Sequence, residues 1–153
     1  MLSERQVVQL FLGVASPERG LVISYAYLWQ AEHVRGREEG TKDRPCVIVV
    51  SVENVRGEYR VTVVPVTHSP PSNPDEGVEI PLLTKRRLGL DDARSWIVVT
   101  EANRLVWPGP DLRSIAPEQF DYGFLPPALF QQVQVKVAAY AAAKRLAITP
   151  RTT

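Results

Sequence analysis

One cysteine, Cys46, and two well-separated histidines, His33 and His68, are all that 153 residues offer in thiol and imidazole chemistry. A single thiol excludes an internal disulfide and any cysteine metal cluster, and so few ligands argue against a zinc centre. Long apolar runs are missing too. SYAYLWQAEH and CVIVVSV meet polar or charged residues well short of the ~20 apolar residues that cross a bilayer. The opening MLSERQVVQLFLG carries Glu4 and has neither the basic start nor the long apolar centre of a signal peptide. A cytoplasmic protein without membrane contact is therefore expected. Charge of one sign is also scarce: the formal net charge is +1. Nonspecific nucleic-acid affinity grows with the number of phosphates neutralised, so overall charge gives no such case. Any catalysis is expected to need no cofactor and no metal site of the protein's own.

What the chain does have is a 44% hydrophobic composition at the length of one domain. Residues 1–17 read as an appendage. In it Ser3 and Gln6 box the start of a short helix whose apolar side is Val7, Val8, Leu10 and Phe11. Residues 18–153 read as one globular domain. Of the 18 basic residues 14 are arginines, whose planar fork suits phosphate better than a lysine point charge, although a codon bias explains the count equally well.

Strand signals dominate the first two thirds. Ile23, Tyr25, Tyr27 and Trp29 alternate with Val22, Ser24, Ala26 and Leu28, a period of two in strong β-formers. Gln30 to Asp43 is polar, charged and too long for a tight hairpin, as a surface loop would be. Cys46 to Val52 is a nearly unbroken apolar run, the mark of a strand covered on both faces. Asn54 to Gly57 turns it into Tyr59 to Val66. Thr67 to Gly77, with Pro70, Pro71 and Pro74, reads as an extended loop before a short strand at Val78 to Pro81. Thr84 to Leu90 reads as one turn closed by Gly89, followed by strands at Ser95 to Thr100 and Ala102 to Val106. After a linker with Pro117 and Gly123, Pro126 and Pro127 open a helix reaching roughly to Leu146. Its apolar face is Leu129, Val133, Val137 and Tyr140. The result is an α+β chain of about six or seven mostly antiparallel strands with a long C-terminal helix.

Two residues gain meaning from the hairpin. Pro45 holds Arg44 extended at the mouth of the first central strand. Antiparallel pairing returns the end of its partner, Thr67, to the same place. Alone, Arg44 is a surface cation paired with Asp43 or Glu39, and Thr67 an ordinary strand residue. Together they form a cradle for a phosphodiester. His68 is a candidate acid or base, although a period of two turns it away from Thr67 if the strand continues. Glu101 and Asn103 share a strand face and are candidates for reading a base edge, or a plain polar pair. Lys85, Arg86 and Arg87 are the densest basic run, fit for RNA backbone phosphates or for a solvated turn. Trp29, Trp96 and Trp107 read as core before base-stacking surfaces.

EEGTKDRPCVIVV, Glu38 to Val50, and VTVVPVTHSP, Val61 to Pro70, together with IPLLTKRRLGLDDARSWIVVTEANRL, resemble the MazF/PemK toxins of type II toxin–antitoxin systems, from about Gly20 to Val106. The resemblance implies a small SH3-like β-barrel of the MazF/PemK/CcdB kind, usually a homodimer, that cuts single-stranded RNA at short sequences without metal. It matches the catalytic arginine and threonine to Arg44 and Thr67 and the loop glutamate to Glu39, with Lys42 beside them in the RNA groove. It also implies an antitoxin partner whose acidic tail fills that groove. A non-catalytic relative, either a gyrase poison or a barrel that binds RNA or protein, is the alternative. The loop before Arg44, the aromatic YAYLW strand and the segment from Trp107 depart from the family pattern.

Overall fold

A computed structural model of the chain describes residues 16–37, 40 and 42–151. The helix expected from Ser3 and Gln6 and the residue Glu39 lie outside the described residues. The elements run β1 (Leu21–Tyr25), α1 (Gln30–Val34), β2 (Arg44–Glu53), β3 (Tyr59–Thr67), a 3₁₀ turn (Pro74–Glu76), β4 (Gly77–Glu79), α2 (Leu82–Leu88), β5 (Trp96–Val98), β6 (Glu101–Val106), β7 (Asp121–Phe124), α3 (Pro127–Ala142) and β8 (Ala147–Pro150).

Alternation explains why β2 lies at the centre. Val47 and Val49 pack with Val64, Val66 and Ala102 against Leu129, Val133 and Val137 of α3. Cys46 and Ile48 face the other way, into a second core of Tyr25, Tyr27, Val61, Val63 and Trp107. An apolar run covered on both sides has no need to alternate with polar residues. Beyond Val49 the cover ends, and Val50 and Val52 are exposed. The α3 stripe closes the first core, with each buried aliphatic side chain contributing about 1.5–3 kcal/mol.

The eight strands form one sheet in the order β4-β5-β3-β2-β1-β7, with β6 paired to β3 and β8 to β6. Every pairing is antiparallel except the parallel β6–β8 pair. Strand β3 divides its free edge: Arg60 to Val63 pair with β6, and Val66 and Thr67 with β5. The change of partner falls around Pro65, which has no N–H to give to a ladder. On its other edge, antiparallel pairing with β2 brings the end of β3 to the start of β2.

Five sequence expectations shift. The first strand ends at Tyr25 instead of Trp29, and the expected loop from Gln30 begins with α1, which is five residues long. The Pro117–Gly123 linker delivers an edge strand, β7, and α3 stops at Ala142, short of Leu146. Among the described residues the sheet has eight strands, where about six or seven were expected.

A buried polar network explains why Tyr27–Trp29 leaves the sheet. Asn103, 0% exposed, donates from Nδ2 to the Leu28 carbonyl at 2.8 Å and accepts the Leu28 N–H on Oδ1 at 2.9 Å. Arg151 Nη1 donates to the same Oδ1 at 3.1 Å and to the Ala26 carbonyl at 2.8 Å, while Nη2 lies 2.9 Å from Asp111 Oδ2. Asn103 is thus a backbone clamp, fully occupied and out of reach of a base edge. Among the described residues, no helix is long and apolar enough to cross a membrane.

Candidate functional site

Tyr25 of β1 pairs with Arg44 of β2, and Cys46 pairs with Pro65 of β3. That second register ends at this pair, and continued two residues outward it would set Arg44 opposite Thr67. Both line a cleft of about 530 Å³ with Trp29, Lys42, His68, Asp91 and Tyr122. The half-buried Arg44 donates from Nη1 to the Val66 carbonyl at 3.2 Å. Its guanidinium carbon sits 4.8 Å from the centroid of the Trp29 ring. Its Nε is buried without a hydrogen-bond partner among the described residues.

Trp29, expected in the core, is instead the aromatic plate under Arg44, and a chain of contacts holds it there. Its ring meets Tyr27 edge to face at 5.1 Å and 71°. The Tyr27 hydroxyl donates to Glu101 Oε1 at 3.1 Å, and the Gln30 N–H donates to the same oxygen at 3.0 Å. Glu101 therefore braces the Arg44 support and is not free to read a base. Burial raises its carboxyl above the usual range, partly offset by those two hydrogen bonds. Burial also pushes the Tyr27 phenol far up. Gly40 lies against this same segment: a Cβ at that position would overlap the Tyr27 carbonyl, so the chain approaching Arg44 needs a glycine here.

Thr67 ends β3 opposite Trp96 of β5, and its Oγ1 accepts the Ser69 N–H at 3.1 Å. With an acceptor site filled, the hydroxyl proton remains to be donated. That short turn also bends the chain, so strand alternation lapses and His68 lines the same cleft as Thr67. His68 Nε2 lies 2.8 Å from Asp91 Oδ2.

Lys85 corrects the reading of the basic run. Helix α2 turns Thr84, Lys85 and Leu88 inward, and Lys85 is 2% exposed. Its ammonium donates to Asp91 Oδ1 and Ser95 Oγ, both at 2.6 Å, and to the Ala93 carbonyl. It is spent inside the protein and presents no charge to an RNA backbone. Arg86 and Arg87 do point to solvent, on α2 but outside the cleft lining. Gly89 caps α2 in the left-handed region at φ 74° and turns the chain toward Asp91.

The carboxylates of the cleft are matched elsewhere. Asp43 Oδ1 lies 3.4 Å from Arg113 Nε, and Asp91 is held by Lys85. The Lys85 hydrogen bond lowers the Asp91 carboxyl, so this side chain is ionised well into the acid range. Among the described residues, none forms an ion pair with Arg44. An arginine with donors to spare beside a free hydroxyl proton is an oxyanion site. The sequence offered no sign of Asp91, Ser95 or Tyr122 as lining residues, since each reaches the cleft by tertiary packing.

A rolled α+β sheet with a C-terminal helix, carrying an arginine and a threonine at the mouth of its central hairpin, defines the fold class. It is the MazF-like fold: the chain is similar to a chain of the solved MazE–MazF structure from Deinococcus radiodurans, at TM-score 0.52 and 17% identity over 84% of this chain and 98% of that one. No protein-family model matches the sequence. No curated protein matches it either.

Proposed function

We propose that the protein is the toxin of a toxin–antitoxin pair and acts as a metal-independent, sequence-specific endoribonuclease on single-stranded RNA. The observation that carries this reading is the meeting of Arg44 and Thr67 at one cleft, with Arg44 anchored on the carbonyl of the residue before Thr67. In the reaction the ribose 2′-OH attacks the adjacent phosphorus and the 5′-oxygen leaves, giving a 2′,3′-cyclic phosphate and a 5′-OH. Negative charge grows on the phosphoryl oxygens in the transition state. Arg44 neutralises it and Thr67 donates to the same oxygens, each charge-assisted hydrogen bond contributing about 1.5–3 kcal/mol. The nucleophile belongs to the substrate, so DNA of the same sequence is spared. Lys42, exposed on the rim, steers the backbone.

The partner of the structural neighbour supports an antitoxin for this chain, and Lys42 and Arg44 are the cleft cations that an acidic peptide would meet. The homodimer that the family resemblance implies has an apolar surface to use: a groove of about 650 Å³ between Ala138 and Ala141 of α3 and Val50, Val52 and Ile148. Purified protein is incubated with mixed-sequence single-stranded RNA in EDTA, beside Arg44→Ala and Thr67→Ala, and fragment ends are mapped. Specific cuts with cyclic-phosphate ends, lost in both variants, are the expected result. Intact RNA, or cuts surviving in both variants, overturns the reading.

A further inference from the structure

Arg44 and Thr67 stabilise charge, but neither is suited to protonate the leaving oxygen. A guanidinium does not give up its proton in a protein, and an aliphatic hydroxyl is a poor acid. Cleavage at neutral pH calls for a titratable donor in the same cleft.

The titratable and charged groups facing this space come from five parts of the fold. Lys42, Asp43 and Arg44 approach from the start of β2, Lys85 from α2, Asp91 from the loop after it, Tyr122 from β7, and His68 from the end of β3. Asp43 is paired with Arg113, Lys85 is buried, Asp91 is held ionised by Lys85, and burial raises the Tyr122 phenol. Only an imidazole has an ordinary pKa close to neutral.

We propose that His68 is the general acid that protonates the departing 5′-oxygen, with Asp91 as the residue that positions it; this rests on the ribonuclease reading above. Asp91 Oδ2 holds Nε2 at 2.8 Å and leaves Nδ1 for the substrate. Asp91 is itself fixed through its other oxygen by Lys85 Nζ at 2.6 Å and the Ala93 N–H at 3.2 Å. The arrangement is a buried cation orienting a carboxylate that orients an imidazole, the logic by which a carboxylate sets ring orientation. Stability does not account for its last link, because His68 and Asp91 are 58% and 57% exposed and such surface pairs contribute little. In the step, the 2′-O–P bond forms and the P–O5′ bond breaks. The Nδ1 proton passes to O5′, the 2′-OH proton passes to water, and water later returns a proton to the ring.

The test uses an RNA containing the site cut by the wild type, made with either a normal 5′-oxygen or a bridging 5′-sulfur at the scissile phosphate. A thiolate leaves without protonation. His68→Gln, which keeps the Lys85–Asp91 pair, is expected to slow single-turnover cleavage of the oxygen substrate by ~10²–10⁴-fold and to cut the sulfur substrate at nearly the wild-type rate. Thr67→Ala stays slow on both. Asp91→Asn, shown folded by circular dichroism, loses the carboxylate that orients the ring and is expected to slow the oxygen substrate while sparing the sulfur substrate. A His68→Gln protein that cuts the oxygen substrate like the wild type, with the same pH profile, overturns the proposal alone. So does a slow variant that sulfur fails to rescue. Wild-type protein that leaves all RNA intact overturns the ribonuclease reading itself.

Discussion

Arg44 reaches across the hairpin and gives one of its Nη1 hydrogens to the carbonyl of Val66, at 3.2 Å, while its guanidinium lies 4.8 Å above the Trp29 ring. Both contacts depend on a flat, forked cation. Lysine keeps the charge but has neither the fork nor the stacking face. Arg44→Lys is expected to lower kcat of RNA cleavage by ~10²-fold or more with unchanged Tm, the scale of losing an oxyanion donor. Single-turnover rates on one defined RNA measure it, and a variant within threefold of wild type, roughly the scatter of such assays, removes the geometric argument.

Glu101 and Asp91 give opposite pH signs. Burial raises the Glu101 carboxyl in the folded state, so its contribution is full below the unfolded value of ~4.3 and declines as pH rises through the folded one. Gln offers the same acceptor to Tyr27 and Gln30 without the charge. Glu101→Gln is therefore expected to equal or exceed wild-type stability at pH 7 and to flatten the decline just above pH ~4.3. The Lys85 bond lowers Asp91, whose contribution is present above ~3.9 and lost as pH falls through its folded value. Asp91→Asn should therefore lower stability near neutral pH, match wild type in acid and flatten that acid loss. Urea melts from pH 3 to 8 separate the two.

Lys85 and its neighbours in the basic run divide the work. Lys85→Met takes the buried cation from Asp91 and a donor from Ser95 Oγ, although Ser95 still donates to the Ala93 carbonyl at 3.2 Å, and is expected to lower stability by about 1–3 kcal/mol while leaving the salt dependence of RNA binding alone. Arg86→Ala and Arg87→Ala should leave Tm unchanged. If these exposed arginines meet RNA phosphates, each reduces the slope of log K against log salt by ~0.7. A salt titration on a non-cleavable RNA decides between contact and solvated surface.

How much of this was legible in the sequence depends on which forces act locally. The apolar run Cys46–Val49 and the Asn54–Gly57 turn set the hairpin register from one strand to the next, so the meeting of Arg44 and Thr67 could be read before any fold was known. The α3 stripe was legible for the same reason, since Leu129, Val133 and Val137 repeat at helical spacing and all are buried. Strands β7 and β8 were not: Asp121–Phe124 and Ala147–Pro150 are four residues each, without alternation, and exist because a backbone edge is waiting for them. Glu101 and Asn103 do share a face, as period two requires. What covers that face is the Tyr27–Gln30 segment, and nothing local announces it. The direction in which α2 aims Lys85 is likewise a tertiary fact, which the composition KRR conceals.

Arg151 and Asp111 form the most buried ion pair described, with side chains 1% and 9% exposed. Arg151→Ala takes the buried cation from Asp111 and Asn103, leaving Asp111 only Arg113 at 3.8 Å, and is expected to cost about 3–5 kcal/mol. Replacing both partners, Asp111→Leu with Arg151→Met, should cost less than the single change, because no buried charge is then left alone. Chemical denaturation of the three variants tests this.

The same pair orders events during synthesis. Asp111 and Asn103 leave the ribosome 40 and 48 residues before Arg151, an interval of roughly two to ten seconds at ~5–20 residues per second. Through that interval the clamp on Ala26 and Leu28 is incomplete, and with it the segment that leads to Trp29. Arg44 thus gains its firm footing on Trp29 only once the parallel strand β8 has been laid beside β6, which ties the maturing of the cleft to the arrival of β8.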